Sequence, residues 1–184
     1  MPTAFTRRCG GYPMSPDQAM RQVRVLGDGC AALSLAARAD ELAGHKLTLV
    51  RPQSAPQETD HIWGFWDGPK LATASRLARK RWHSWSIVTG RGKAVLRSQK
   101  RPYTALHRLD WTAHCRAAAG RAGVATLDGD ETATATDLVF DSRPPPVPDG
   151  MMLQHFLGLE VRSRRAIFAP DTAILMDFRV DQSR

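Results

Sequence analysis

Acidic side chains are missing from a long central stretch of this 184-residue chain: Gly68 to Leu109 carries eleven Lys or Arg and no Asp or Glu. The net charge is +8, so elsewhere the fifteen remaining basic residues are outnumbered by eighteen acidic ones. So local an excess points to an anionic partner: a polyanion, a phosphate-bearing cofactor or an anionic membrane surface. Lysine is itself scarce, five against 21 Arg, a skew that GC-rich coding would also produce and that is no phosphate-clamp signal alone. No apolar run approaches the length of a membrane span. The N-terminal Met-Pro-Thr-Ala-Phe-Thr-Arg-Arg lacks the apolar core of a signal peptide, which makes the cytoplasm the expected compartment. The three cysteines, Cys9, Cys30 and Cys115, fit no metal spacing and cannot all pair, so no metal is expected and a reducing compartment is favoured. These absences exclude a secreted disulfide scaffold, a zinc ribbon and an integral membrane protein. Apolar residues at 42% and charged residues at 24% exclude collagen, a coiled coil or general disorder.

The length predicts one domain, or one domain and a fragment of another. Residues 1–19 show no periodicity and carry Pro2, Gly10, Gly11, Pro13 and Pro16, which predicts a disordered leader. Met20, directly before the first strand, is a candidate translation start. Gln22–Gly27 alternates polar and apolar residues and reads as a strand. The Ala/Leu-rich Cys30–Ala43 reads as a helix, and Lys46–Val50 as a second strand, completing one βαβ unit with parallel strands and a right-handed crossover. Short strands are expected at Trp85–Thr89 and Ala94–Arg97. A helix is expected over Thr104–Ala119 from the spacing of Leu106, Leu109, Ala113 and Ala117. Further strands are expected at Asp137–Phe140, Met152–Val161 and Thr172–Val180. There is no internal repeat. The predicted class is α/β: a Rossmann-like FAD/NAD(P)-binding βαβ core with added antiparallel strands.

Gly27-Asp28-Gly29-Cys30-Ala31-Ala32 lies where a strand hands over to a helix, as the Gly-x-Gly-x-x-Ala dinucleotide fingerprint requires. Gly27 permits the tight turn, Gly29 lets a pyrophosphate approach the backbone, and Ala32 lets helix and strand pack closely. The helix N-terminus supplies free N–H groups to the phosphates. The bland alternative is a glycine turn that binds nothing, and the strand–turn–helix–strand context favours the dinucleotide. The second strand ends Leu49-Val50-Arg51, without the usual ribose-binding carboxylate, and Arg51 there would suit a 2′-phosphate, which keeps NADP in play. Asp28 puts a negative charge in the turn, so its side chain must point away from any phosphate.

Four of the five tryptophans fall between Trp63 and Trp85, in His61-Ile-Trp63-Gly-Phe65-Trp66 and Arg81-Trp82-His83-Ser84-Trp85. Core packing, a stacking platform for single-stranded nucleic acid and a pocket for a long apolar ligand are the three readings, with core weighted first. Asp141-Ser142-Arg143 sits at a strand end, where ligands of α/β sheets collect. Met176–Gln182 alternates, which would put Asp177, Arg179 and Asp181 on one strand face; buried carboxylates there would need partners or a function. His155, alone in its strand, reads as a packed residue.

Taken in order, the Gly27 turn, His61-Ile-Trp63-Gly-Phe65, Trp82–Trp85, Asp141-Ser142-Arg143-Pro144, Gln154-His-Phe156-Leu-Gly158-Leu-Glu160 and Met176-Asp177 to Asp181-Gln182 resemble bacterial lycopene β-cyclases, FAD-dependent carotenoid enzymes. The resemblance spans residues 22–182. It implies an FAD-binding domain over residues 20–184 interleaved with part of a substrate domain. It implies cyclisation of the ends of lycopene, or a related carotene, to β-ionone rings through a carbocation, with reduced FAD and no net redox change. NADPH is the reductant it suggests. Cofactor binding falls to Gly27, Gly29, Ala32, Asp141 and Arg143. Substrate contact falls to His61, Trp63, Phe65, Trp82, Trp85, Gln154, Phe156 and Glu160, and catalysis to Asp177 and Asp181. The protein is expected to be cytoplasmic and peripherally membrane-associated, with no nucleic-acid partner. The family carries a Phe-x-Glu-Glu/Asp-Thr segment, with its main acid–base Glu, after the Met-Asp-x-x-Val-Asp-Gln string. This chain is therefore expected to be an N-terminal part of such an enzyme, with an incomplete fold, and not to cyclise lycopene by itself. An NADP-binding oxidoreductase and a basic nucleic-acid-binding module are the rival readings.

Overall fold

A computed structural model describes residues 20–53, 59–129, 136–152 and 158–180. The expected leader, residues 1–19, lies outside them. Strand β1 (Arg21–Leu26) runs parallel to β2 (His45–Arg51) along its whole length, from Arg21 beside His45 to Leu26 beside Val50. Strand β8 (Ala125–Asp128) extends the sheet beyond β2, and β9 (Leu138–Asp141) pairs with the other side of β1. The order β8-β2-β1-β9 is third-second-first-fourth in chain sequence. That is the order of a doubly wound dinucleotide-binding half. The fold is α/β with a parallel sheet, as expected.

The helices α1 (Cys30–Ala36) and α3 (Arg108–Arg121) cover one face of this sheet. Period-2 alternation turns Val23 and Val25 of β1 and Leu47 and Leu49 of β2 toward them. Leu33, Ala32 and Ala36 of α1 and Cys115 and Ala119 of α3 complete the core. The small residues allow the two helices to lie close to the strands. Full burial of a side chain such as Leu33, 1% exposed, contributes roughly 1.5–3 kcal/mol. The Trp111 indole N–H donates to the Ser34 hydroxyl at 3.1 Å and ties the helices together.

Between β2 and α3 the chain builds two small sheets. Strands β3 (Ile62–Trp66) and β4 (Lys80–Trp82) both pair antiparallel with β7 (Tyr103–His107), with the short helix α2 (Ala72–Arg76) between β3 and β4. Strands β5 (Ser84–Thr89) and β6 (Gly92–Arg97) form a hairpin, and β10 (Thr172–Asp177) adds parallel to β5. A Cβ at Gly64, mid-strand in β3, would run into the Tyr103 hydroxyl, which explains a glycine inside a strand.

Several expectations need correction. The segment from Tyr103 to His107 is a strand rather than the start of a helix, and α3 begins only at Arg108. Thr104, Ala105 and Leu106 are buried there; pairing on both sides overrides the helical spacing of Leu106 and Leu109. Helix α1 stops at Ala36, and a 3₁₀ turn at Ala39–Glu41 replaces its expected last turns. The last strand ends at Asp177 rather than Val180. Of the strand expected over 152–161, the described residues 152 and 158–161 are not in a strand, and 153–157, including His155, lie outside the description. Strands β3, β4 and β8 were not expected. Among the described residues, no helix is long and apolar enough to cross a membrane.

Candidate functional site

The Gly-rich turn leaves β1 at its carboxyl end, beside β9, where the strand order reverses. Gly27 has φ +108°, open only to glycine, and its N–H donates to the Val50 carbonyl at 2.8 Å. Leu26 pairs with Asp141 across the strands, which brings Asp141-Ser142-Arg143 against the turn. The Leu26 carbonyl accepts both from the Ser142 backbone N–H at 2.9 Å and from the Ser142 hydroxyl at 2.8 Å. Two segments more than a hundred residues apart thus form one edge. Gly29 stands immediately before α1 in extended backbone, and a Cβ there would meet nothing within 4 Å. Space lies open over the first turn of α1, whose N–H groups have no partner within the helix. Ala32, 1% exposed, is packed in the core. These features fit the phosphates of a dinucleotide.

The Asp28 carboxylate does point away, toward basic partners. It accepts from Arg51 Nε at 3.1 Å and from Arg116 Nη2 at 3.5 Å. The three line a cleft of about 150 Å³ with Leu33, Leu49 and Thr126. Arg51 also reaches Asp128 at 3.8 Å. The guanidinium considered for a 2′-phosphate therefore already stands between two carboxylates.

Asp141 and Arg143 form a fork. Arg143 Nε and Nη2 donate to the carboxylate at 2.9 and 2.7 Å, and the Arg143 backbone N–H donates at 3.0 Å. These bonds hold the Asp141 carboxyl down at about 2. Asp177 and Arg179 repeat the arrangement just past β10, at 2.9, 2.6 and 3.1 Å, and Asp177 is likewise held at about 2. The expected Asp177–Arg179–Asp181 strand face does not form among the described residues. The strand stops at Asp177 and Arg179 turns back onto it; Asp181 lies outside the description. A carboxyl at about 2 stays charged at neutral pH and suits electrostatic stabilisation rather than proton donation.

The aromatic candidates divide across the β3-β7-β4 sheet. Register puts Trp66, Tyr103 and Trp82 on one face and Trp63 and Phe65 on the other, with Thr104 and Leu106. Trp66 meets Tyr103 edge-on at 5.2 Å and Trp85 at 6.1 Å, and Tyr103 lies 6.1 Å from Trp82. Trp82 and Trp85 therefore join one cluster, through Trp66 of the His61 string and through Tyr103, which belongs to no motif. The Trp63 indole N–H donates to His61 Nε2 at 2.8 Å on the other side. Glu160 is exposed and outside any strand; Gln154 and Phe156 lie outside the description.

Sequence reading also missed Asp60. Its carboxylate accepts from the Leu109 N–H at 3.2 Å, capping α3, and contacts His107 Nδ1 at 2.7 Å. The His107 contact, then the Leu109 bond, lowers its pKa. Arg79 and Asp110 pair beside it at 2.7 Å.

No curated protein matches the chain. Its later part does match a described family. Residues 112–184 match the lycopene cyclase family. The lycopene cyclase match begins within α3 and takes in Asp141-Ser142-Arg143 and Met176–Gln182, but not the Gly27 turn or the His61 string. Among solved structures, the chain is similar to the tetrameric form of 2-methyl-3-hydroxypyridine-5-carboxylic acid oxygenase, with 16% identity, TM-score 0.47, and 59% of this chain and 31% of that chain covered. It is similar to the peptidyl tryptophan dihydroxylase QhpG, with 17% identity, TM-score 0.47, and coverage of 72% and 35%. It is similar to CtdE in complex with FAD and a substrate, with 16% identity, TM-score 0.44, and coverage of 59% and 30%. The chain spans about a third of the length of these structures.

Proposed function

We propose that this chain binds FAD at the carboxyl edge of its parallel sheet and forms part of a lycopene β-cyclase, an enzyme that closes the open ends of lycopene into β-ionone rings. The observation that carries the reading is the meeting of Gly27-Asp28-Gly29 with Asp141-Ser142-Arg143, the latter inside the stretch matched by the lycopene cyclase family. Gly27, Gly29 and Ala32 would let the pyrophosphate reach the backbone, and the Asp141–Arg143 fork would flank it. When bound and reduced, with NADPH as the candidate reductant, the flavin would supply negative potential near the reacting carbons without net redox change. The chain's own part is to bind and to stabilise. Trp82 and Trp85 offer aromatic faces to a carbocation and exclude water, while Asp177 holds a permanent negative charge. His61, Trp63, Phe65, Gln154, Phe156 and Glu160 remain assigned to carotene contact, and Asp181 to catalysis beside Asp177. The reading includes peripheral contact with a membrane, where a carotene is dissolved, and no nucleic-acid partner. Arg51, the residue that would suit the 2′-phosphate of NADP, is engaged by Asp28 and Asp128.

Gel filtration after incubation with FAD tests the cofactor. Flavin absorbance should travel with the protein; a colourless protein that retains NADPH instead would overturn the reading. Tryptophan quenching by micelle-dispersed lycopene tests the substrate. Trp82→Ala should weaken quenching about tenfold, a loss of one aromatic contact worth roughly 1.4 kcal/mol; no quenching in the unmutated chain would contradict the carotene assignment.

A further inference from the structure

The acid-free stretch between Gly68 and Leu109 takes on a definite shape in the fold. Among the described residues, strand β6 is the edge of its sheet, paired only with β5, and all six of its residues are exposed. Alternation puts Lys93, Val95 and Arg97 on one face and Ala94 and Leu96 on the other. Val95 and Leu96 are 47% and 48% exposed. Several arginines elsewhere meet carboxylates: Arg38 with Glu41, Arg51 with Asp28, Arg143 with Asp141, Arg179 with Asp177. Those around β6 do not. The side chains of Arg91, Lys93, Arg97, Lys100 and Arg101 have no hydrogen-bond or ion-pair partner among the described residues. An open cleft of about 490 Å³ adjoins them, lined by Lys80, Arg81, His83, Ser84, Arg97 and Gln99, with Asp171 the one carboxylate among its lining residues.

We propose that the β5–β6 hairpin and the turn that follows it dock the protein on an anionic phospholipid bilayer, basic side chains on the headgroup phosphates and Val95, which shares the face of Lys93 and Arg97, at the acyl boundary. The inference rests on the preceding function only for the reason a membrane would be visited. Exposed aliphatic side chains interleaved with unpaired cations suit a lipid interface. Single-stranded nucleic acid would call for free aromatic faces. From Arg91 to Arg101, where the free cations lie, the chain carries no aromatic residue.

Co-sedimentation of the full chain with vesicles tests this, comparing equal parts phosphatidylglycerol and phosphatidylcholine with pure phosphatidylcholine. Binding should need the anionic lipid and fade in high salt. Lys93→Gln/Arg97→Gln should weaken it about 30-fold, corresponding to roughly 1 kcal/mol for each basic residue at an anionic surface. Circular dichroism melting checks folding, and Lys100→Gln/Arg101→Gln on the turn serves if the first pair unfolds. Equal binding to both vesicle types, no binding to either, or variants that bind undiminished would overturn the proposal. Retention on single-stranded DNA without vesicle binding would overturn it in favour of nucleic acid. Flavin retention is read on the same preparation: a chain that holds FAD but ignores vesicles sinks the docking proposal alone, and the reverse sinks the cofactor reading alone.

Discussion

The Ser142 hydroxyl lies 2.5 Å from where a Cβ on Gly27 would stand. The fit is possible only because residue 27 has no side chain, and it is what lets β9 bring Asp141 and Arg143 to the Gly-rich turn. Gly27→Ala is expected to destabilise twice over, through the clash and through φ +108°. The backbone strain alone costs about 1–3 kcal/mol, with a fall in Tm of roughly 2–4 °C for each kcal/mol at this chain length. Ser142→Ala in the same chain should relieve the clash but not the strain. The double variant should therefore melt above the additive expectation, a coupling that differential scanning calorimetry reads. Strict additivity would show that the two residues do not share this space.

The Asp141–Arg143 fork has a pH signature. The folded carboxyl sits at about 2 against an ordinary 3.8, because the Arg143 side chain, then its N–H, bond the charged form. A pKa depressed by folding contributes stability at pH above the ordinary value, and that contribution is lost as pH falls from there toward 2. Carboxyl NMR titration should find Asp141 near 2 in the unmutated chain and raised part of the way toward the ordinary range in Arg143→Gln, where the residue-143 N–H still bonds the carboxylate. The pair is about half exposed, so high salt should shrink the difference. A titration unchanged by the substitution would show that the fork does not form in solution.

The thiols should separate by reactivity. Cys115, with no exposed surface, is pushed up to about 11, chiefly by burial, whereas Cys30 is exposed. In a Cys9→Ser background, a thiol reagent should label Cys30 rapidly in the native state and Cys115 only as denaturant opens the α1–α3 core. Equal native labelling of both would contradict the packing of α3 on the sheet.

The parallel core was legible in the sequence because Val23/Val25 and Leu47/Leu49 alternate on either side of a glycine turn with a small residue at Ala32. What local pattern could not carry was pairing at long range. Tyr103–His107 looks helical from Leu106 and Leu109, yet β3 and β4 claim both its edges. Strand β3 holds a glycine that makes sense only under the Tyr103 hydroxyl. Asp60 and His107 meet across 47 residues, and no spacing rule anticipates that. Arg51 read as a phosphate ligand because its partners, Asp28 and Asp128, come together only through β2 and β8.

Gly29 offers the most direct test of the cofactor site, since a Cβ there meets no protein atom within 4 Å and its backbone, at φ −76° and ψ −172°, suits any residue. Gly29→Leu should leave the Tm unchanged while filling the space kept for the pyrophosphate. The measurement is FAD retention by the purified chain and by Gly29→Leu at matched Tm. The account predicts that the unmutated chain keeps flavin and the variant loses it; equal retention, or a parent chain that takes up no flavin, would contradict it.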